Sequence, residues 1–305
     1  MNEFRYYRPR SLPEALHIAR ERPGTMFLAG GTDALVSLKA GIIQPPAVVD
    51  ISALPELTGI TVEHGEIVVG ALTTHAELAG SPIIRAELSA LAEAAGSVGS
   101  PQIRNTGTIG GNIANASPAA DTVTALVALG ASVQIGNEDQ VRQTPVEDLF
   151  LGPKKTALQD GDLILSIRFK SRQYGQASAF HKVGRRKALA ISVVNAAVWL
   201  ELDPGLDRVV KCRIALGSVA PTVIRVSEAE KAVEGQVIIP ALIDNLGDLV
   251  SLSIKPIDDI RSTAQYRQAV AGELVKRAFI DAWTKAKDTK VSGTILSGTL
   301  VSGGD

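Results

Sequence analysis

Two short stretches hold most of the chemistry this sequence can offer. One is TIGGNIANASPAAD at residues 108–121; the other is LAGGTD at residues 28–33. Each crowds glycine with small polar side chains and ends on a lone carboxylate. Glycine reaches left-handed dihedrals and lets an anion approach bare backbone, and a helix start adds positive partial charge. Gly30, Gly31 and Thr32 follow a strand-like run and precede a helical one, so their amides are expected to point outward. In the longer stretch, Gly107, Gly110 and Gly111 are expected to expose backbone donors, while Thr108, Asn112, Asn115 and Ser117 add side-chain donors. Ser117–Pro118 reads as an N-cap with proline at the first helical position, opening a helix over 118–129. Neither stretch is a P-loop or a Gly-x-Gly-x-x-Gly fingerprint. Taken singly, the first is a tight turn or an anion cradle, and the second an exposed Ω-loop or a ligand cradle. Two cradles in adjacent subdomains suit a pyrophosphate held between them. Asp121 would then accept hydrogen bonds from hydroxyls or a ring N–H, so the ligand class implied is an adenine dinucleotide.

The remaining composition narrows the field. With 45% hydrophobic and 21% charged residues and a formal net charge of −1, the 305-residue chain reads as globular and carries no nucleic-acid footprint. Aromatics at 4% exclude a stacking platform for bases. The single Cys212 rules out an internal disulfide and an iron–sulfur cluster held by this chain alone, which needs about four cysteines. In VVKCRIAL it reads as a buried small hydrophobe. His17, His64, His75 and His181 lack ligand spacing, so no metal site is expected. A serine hydrolase has no support, since Gly-x-Ser-x-Gly is absent. MNEFRYYRPR has no apolar core and no window resembles a membrane span, from which a cytoplasmic protein without a signal peptide is expected.

Three subdomains are expected to position these stretches. In 1–57, SLPEAL starts a helix capped by Ser11, then a strand, the double-glycine turn, a short helix and the strand PAVVDIS make an α/β unit. In 58–172, GITVEHGEIVVGA predicts a hairpin turning at His64–Gly65 and IIRAELSALAEAAG a helix over 83–96. ASVQI and QVRQTP predict a second hairpin, and GDLILSIRF a further strand. In 173–287, SAFHKV, ISVVNAAVWLEL and RVVKCRIALGS predict a strand meander. Helices follow over 227–234, 240–251 and 263–286, the last with Tyr266, Val270, Leu274, Ala278 and Ala282 at i+4 spacing. Residues 288–305 read as a flexible, small-residue tail.

With these residues in view, LAGGTDAL followed about 75 residues later by SPQIRNTGTIGGNIANASPAAD closely resembles the FAD-binding medium subunit of the molybdenum hydroxylases, the family of xanthine dehydrogenase, carbon monoxide dehydrogenase and 4-hydroxybenzoyl-CoA reductase. The resemblance covers residues 1 to about 287 and includes FLGPKKTAL and AFHKVGRRKALAISVVNAAV. It implies an α+β chain: a two-subdomain FAD-binding fold of the vanillyl-alcohol-oxidase/PCMH type, then a C-terminal α+β domain of the carbon monoxide dehydrogenase flavoprotein type. It implies that Phe27, Leu28, Ala29, Gly30, Gly31, Thr32 and Asp33, with Thr108, Ile109, Gly110, Gly111 and Asn112, wrap the FAD phosphates. Asn115 and Asp121 match positions near the ribityl chain and isoalloxazine, and Ile164 and Leu165 lie beside the adenine. Lys182 matches a basic position near the flavin ring, with His181 in its place if the alignment slips by one; a solvated basic turn of Lys182, Arg185 and Arg186 is the alternative.

As implied by the resemblance, the chain exchanges single electrons with a [2Fe-2S] small subunit and hydride with NAD or another acceptor, while a molybdopterin-binding large subunit turns over the substrate. Two departures stand out. GPKKT replaces the GPGKT that family members often show, so loop 152–156 is expected to differ locally, and Thr124 stands where proline is common. The extra cysteine-bearing insertion of some members is missing. The rival readings are a self-contained flavin oxidoreductase and a non-enzymatic nucleotide-binding scaffold.

Overall fold

The computed structural model describes residues 3–186 and 190–292, so the tail expected from 288 lies, past Ser292, outside the described residues. The chain opens with β1 (Arg5–Tyr7), α1 (Leu12–Glu21), β2 (Met26–Leu28), α2 (Ala34–Lys39) and β3 (Ala47–Asp50). The three strands form a parallel sheet in the order β1-β3-β2. Ser11 caps α1 by accepting from the Glu14 amide, as its sequence foretells. β1 was not expected: three residues beside a charged terminus carry too little pattern to read. Val49, Ile51, Leu54 and Leu57 pack with Leu72 and Leu163 from the following segment, so the first two units share a core.

Next come β4 (Ile60–Glu63), β5 (Glu66–Gly70), α3 (His75–Gly80), α4 (Pro82–Glu87), α5 (Ser89–Ser97), α6 (Pro101–Thr106), α7 (Ile109–Ala114) and α8 (Asp121–Ala128). They are followed by β6 (Ser132–Gly136), β7 (Val141–Pro145), β8 (Phe150–Gly152), β9 (Lys155–Thr156) and β10 (Leu163–Lys170). Five strands make an antiparallel sheet in the order β4-β5-β10-β6-β7. The β4–β5 hairpin turns at His64 and Gly65, both at positive φ (51° and 80°), the pair of left-handed residues that a tight hairpin requires. The helix expected over 83–96 is two, broken at Leu88 (φ −132°), whose side chain turns into the core. That break has no glycine or proline signal, because packing sets it.

A larger correction concerns 100–121. The expected open loop contains α6 and α7, each with its own cap: Ser100 accepts from Ile103 N, and Thr108 accepts from Gly111 N. The following helix starts at Asp121, not Pro118. Ser117 instead accepts from the Ala119 amide in a local turn after Ala116 (φ 46°).

The last unit holds β11 (Gln176–Gly184), β12 (Ser192–Leu202), β13 (Val209–Gly217), β14 (Ile224–Arg225), α9 (Ser227–Val233), α10 (Pro240–Ser253) and α11 (Ala264–Ser292). Its antiparallel sheet runs β11-β12-β13-β14 and is covered on both faces, by α5 and α8 on one side and by α11 on the other. Burial on both faces is why β12 reads as a nearly unbroken apolar run instead of alternating. Along α11 the buried seam is Ala271, Leu274, Val275, Ala278, Phe279, Ala282 and Ala286, while Tyr266 is exposed. A row spaced only by i+4 drifts around a helix, so the expected stripe leaves the seam at its N-terminal end.

Candidate functional site

The two glycine stretches meet. A Cβ placed on Gly30 would lie 1.8 Å from the carbonyl oxygen of Thr106 and 3.3 Å from Gly107 Cα, so the turn after β2 sits directly on the link between α6 and α7. A Cβ on Gly110 would lie 2.7 Å from Ala71 Cβ and 2.8 Å from Ala71 O, which seats α7 against the end of β5. These glycines serve close packing as well as any ligand.

The two motifs offer different donors. Among the described residues, the amides of Gly30, Gly31, Thr32 and Asp33 have no hydrogen-bond partner. They form one turn at the start of α2 and are open to an anion. The expectation for the second motif needs correcting. Gly107 N donates to Ile103 O, Ile109 N to Thr73 O, Gly110 N to Ala71 O and Gly111 N to Thr108 Oγ1. Those amides are spent inside the fold: the first-turn amides of α7 are taken by the Thr108 cap and by the backbone after β5, and the Gly107 amide closes α6. Ile109 also turns its side chain fully into the core. What the second motif still presents is side-chain chemistry. The Thr108 hydroxyl has its proton free to donate, and Asn112 accepts from Thr122 Oγ1 (2.7 Å) through its oxygen, which leaves its NH₂ group.

Between the motifs lies a largely apolar cleft of about 260 Å³, lined by Phe27 and Ala29 of the first stretch, Gly110 and Gly111 of the second, and Leu163 and Ile164 of β10. Ile164 is therefore at the cleft. Leu165 is not among its lining residues: β10 bulges there, and a Cβ on Gly136 would lie 2.7 Å from Leu165 Cδ1. Leu28 is likewise absent from the lining, and its carbonyl accepts from Ile51 N. Asp162 stands at the same cleft. Burial opposes its ionisation, yet hydrogen bonds from Arg142, the Gln159 amide and Asn137 outweigh that and hold the carboxyl below the usual range. Sequence reasoning missed Met26, Ile51, Ala71, Leu72, Leu158 and Leu163, all of which line the cleft. They read as ordinary core, and only their placement gives them a ligand-facing surface.

Asp121 and Lys182 lie together at the seam between the second and third units. Lys182 Nζ donates to Asp121 Oδ2 at 2.6 Å and also to the carbonyls of Ser97 (2.7 Å) and Ala190 (3.2 Å). Asp121 further accepts from Ser192 Oγ at 2.5 Å, Asn195 Nδ2 at 2.8 Å and Ser97 Oγ at 3.3 Å. The acceptor capacity expected for a ligand's hydroxyls is thus taken up by protein. Thr124 donates to Asn195 Oδ1 at 2.7 Å, a bond that proline in its place could not make. His181 points to the opposite face of β11, where its Nε2 pairs with Asp281 at 2.7 Å. The basic residue facing this network is therefore Lys182.

Two further residues flank the motifs. His75, the first residue of α3 and inside the capping box of Thr74 and Glu77, is buried behind Gly107 with its Nδ1 unpartnered among the described residues. Burial, helped by Arg104, lowers its pKa to about 4, so it is a neutral imidazole at pH 7. Lys154 Nζ donates to Asn115 Oδ1 at 2.6 Å and stands 3.9 Å from Asp33 Oδ1. Among the described residues no cluster of His, Cys, Asp and Glu could hold a metal ion, and no helix is long and apolar enough to cross a membrane.

Two family models match the chain. One described as the FAD binding domain in molybdopterin dehydrogenase covers residues 2–169, and one described as the CO dehydrogenase flavoprotein C-terminal domain covers residues 178–282. The chain is 33% identical over 283 residues to the carbon monoxide dehydrogenase medium chain of Hydrogenophaga pseudoflava, spanning 92% of this chain and 98% of that one. It is 30% identical over 279 residues to the xanthine dehydrogenase FAD-binding subunit of Escherichia coli O157:H7, spanning 91% and 95%. Among solved structures it matches a chain of the H. pseudoflava carbon monoxide dehydrogenase lacking the Mo-pyranopterin moiety of its molybdenum cofactor. The TM-score is 0.88 at 34% identity, covering 93% of this chain and 98% of that chain.

Proposed function

The chain belongs to the family of FAD-binding medium subunits of the molybdenum hydroxylases, and from that premise we propose that it passes electrons between [2Fe-2S] clusters on a small partner subunit and NAD or another soluble acceptor. A molybdopterin-binding large subunit is the proposed third component, and turns over the substrate. The chain itself is an oxidoreductase component with FAD as its cofactor.

The observation that carries this reading is the meeting of two motifs, about 75 residues apart: the first offers a turn of unpartnered amides, and Phe27 and Ala29 of the first with Gly110 and Gly111 of the second line one apolar cleft. The donor set fits the cofactor. Amides of Gly30, Gly31, Thr32 and Asp33 would hold the pyrophosphate, with the Thr108 hydroxyl and the Asn112 amide group on the other side. Phe27, Ala29, Leu163 and Ile164 offer the apolar slot that an adenine needs. Asn115 would face the ribityl chain. The Asp121–Lys182 pair would form a rigid wall toward the isoalloxazine, since both side chains are tied down by three or more hydrogen bonds. Bound FAD supplies the exchange between two-electron hydride chemistry and single-electron transfer. The chain's residues bind and orient it, and none is required as nucleophile or general base.

Denaturing the purified complex and identifying the released flavin tests this directly. One FAD per chain is expected, together with iron and sulfide from the small subunit. Anaerobic NADH should bleach the flavin absorbance if NAD is the acceptor. A folded chain that holds no flavin with its partners present would overturn the reading.

A further inference from the structure

We propose that Lys154 is a positioning residue for the cofactor: its ammonium clips the two motifs together, orients the Asn115 amide and offsets the Asp33 carboxylate. The inference rests on the FAD reading above and deepens it.

The first observation concerns backbone. Pro153 and Lys154 occupy the tip of the β8–β9 hairpin, and Lys154 has φ 59°, a left-handed value that favours glycine. A long side chain there carries a backbone penalty that glycine avoids. The segment is also anchored, since Lys154 N donates to Ala116 O at 2.9 Å and Ala116 is itself at φ 46°. Two left-handed residues in succession of contact therefore aim the Lys154 side chain.

The second observation is where it is aimed. Nζ reaches Asn115 Oδ1, at the C-terminal cap of α7, at 2.6 Å, and lies 3.9 Å from Asp33 Oδ1 at the start of α2. One cation thus touches a residue of each motif. Its effect on Asn115 is orientation: with the amide oxygen on the ammonium, the NH₂ group is left as a donor. Its effect on Asp33 is charge. The amides of Gly30 to Asp33 are the proposed seat of a pyrophosphate, and an exposed carboxylate on that turn repels such a ligand. Lys154 offsets that repulsion. Both effects favour an anionic cofactor, and neither is needed to hold the hairpin, whose strands are paired by backbone.

The test uses the full chain, stripped of flavin and titrated with FAD at several salt concentrations, with melting of the flavin-free chain followed in parallel. Lys154→Gln is expected to weaken FAD binding by about three- to tenfold and to flatten its salt dependence. Lys154→Arg should bind within about twofold of the parent chain. Lys154→Gly should bind as weakly as Lys154→Gln while melting no lower than the parent, because glycine relaxes the left-handed backbone. Adding Asp33→Asn to Lys154→Gln should recover part of the affinity. An unchanged dissociation constant and salt slope in Lys154→Gln overturns the proposal and leaves the FAD reading intact. A loss that tracks a lowered melting temperature in both variants overturns it in favour of a purely structural role. A parent chain that binds no FAD overturns both.

Discussion

Removing one partner of the Asp121–Lys182 pair has a cost that the geometry lets one work out. Both side chains are mostly shielded, at 7% and 16% exposure, so water cannot replace a lost partner freely. Breaking a buried pair from one side costs roughly 3–5 kcal/mol in general. Asp121 retains three neutral donors after Lys182→Met, and Lys182 retains two carbonyls after Asp121→Asn. Each single change is therefore expected near the low end, about 3 kcal/mol. The double variant leaves no uncompensated charge and should lose only about 4 kcal/mol, a coupling of about 2 kcal/mol. Urea unfolding at pH 7 reads this, with Trp199 and Trp283 reporting from β12 and α11 and circular dichroism checking that the transitions coincide. Salt should hardly change the coupling, since a shielded pair is poorly screened. Additive losses, or single losses below about 1 kcal/mol, would refute the argument, because they would mean that water reaches the pair.

Three other outcomes follow from the same structure. Gly110→Ala should cost about 1–3 kcal/mol in a urea melt, because its Cβ meets Ala71 backbone and side chain, whereas Gly111→Ala meets only Thr108 Oγ1 at 2.9 Å and should cost under about 1 kcal/mol yet still lower flavin content at the cleft. His75 titrates at about 4 when folded and at 6.5 unfolded, so its stabilising contribution is complete above pH 6.5 and falls away as pH drops toward 4. The gap is worth roughly 3 kcal/mol; His75→Leu should flatten the stability curve over that window, and an unchanged curve would exclude His75 as its source. Burial pushes the Cys212 thiol well up, so a thiol reagent should label no cysteine in the native chain and one after denaturation. Native labelling would contradict the buried placement.

Much of the local structure was legible because its causes are local. Ser11 and Glu14 announce α1, the His64–Gly65 pair sets a hairpin, and the apolar runs of β11 to β13 mark a sheet. The misreadings have a common origin. The 100–121 segment is rich in glycine and asparagine, which read as loop, but Ser100 and Thr108 cap two short helices that tertiary contacts with Thr73 and Ala71 hold in place. The break at Leu88 and the shift of a helix start from Pro118 to Asp121 likewise answer to packing, not to propensity.

The two glycine motifs, their order and their spacing are sufficient, from the sequence by itself, to mark this chain as a binder of a phosphate-rich cofactor, because close backbone approach demands residue types that can be read one by one. Which donors remain for that cofactor was a tertiary matter. Folding spends the amides of the second motif on Thr73, Ala71 and Thr108, spares those of Gly30 to Asp33, closes Asp121 onto Lys182 and brings Lys154 to both motifs. A hydrogen bond has two ends, and except for the local Thr108 cap the second end of each bond made here comes from a segment whose approach only the folded chain decides.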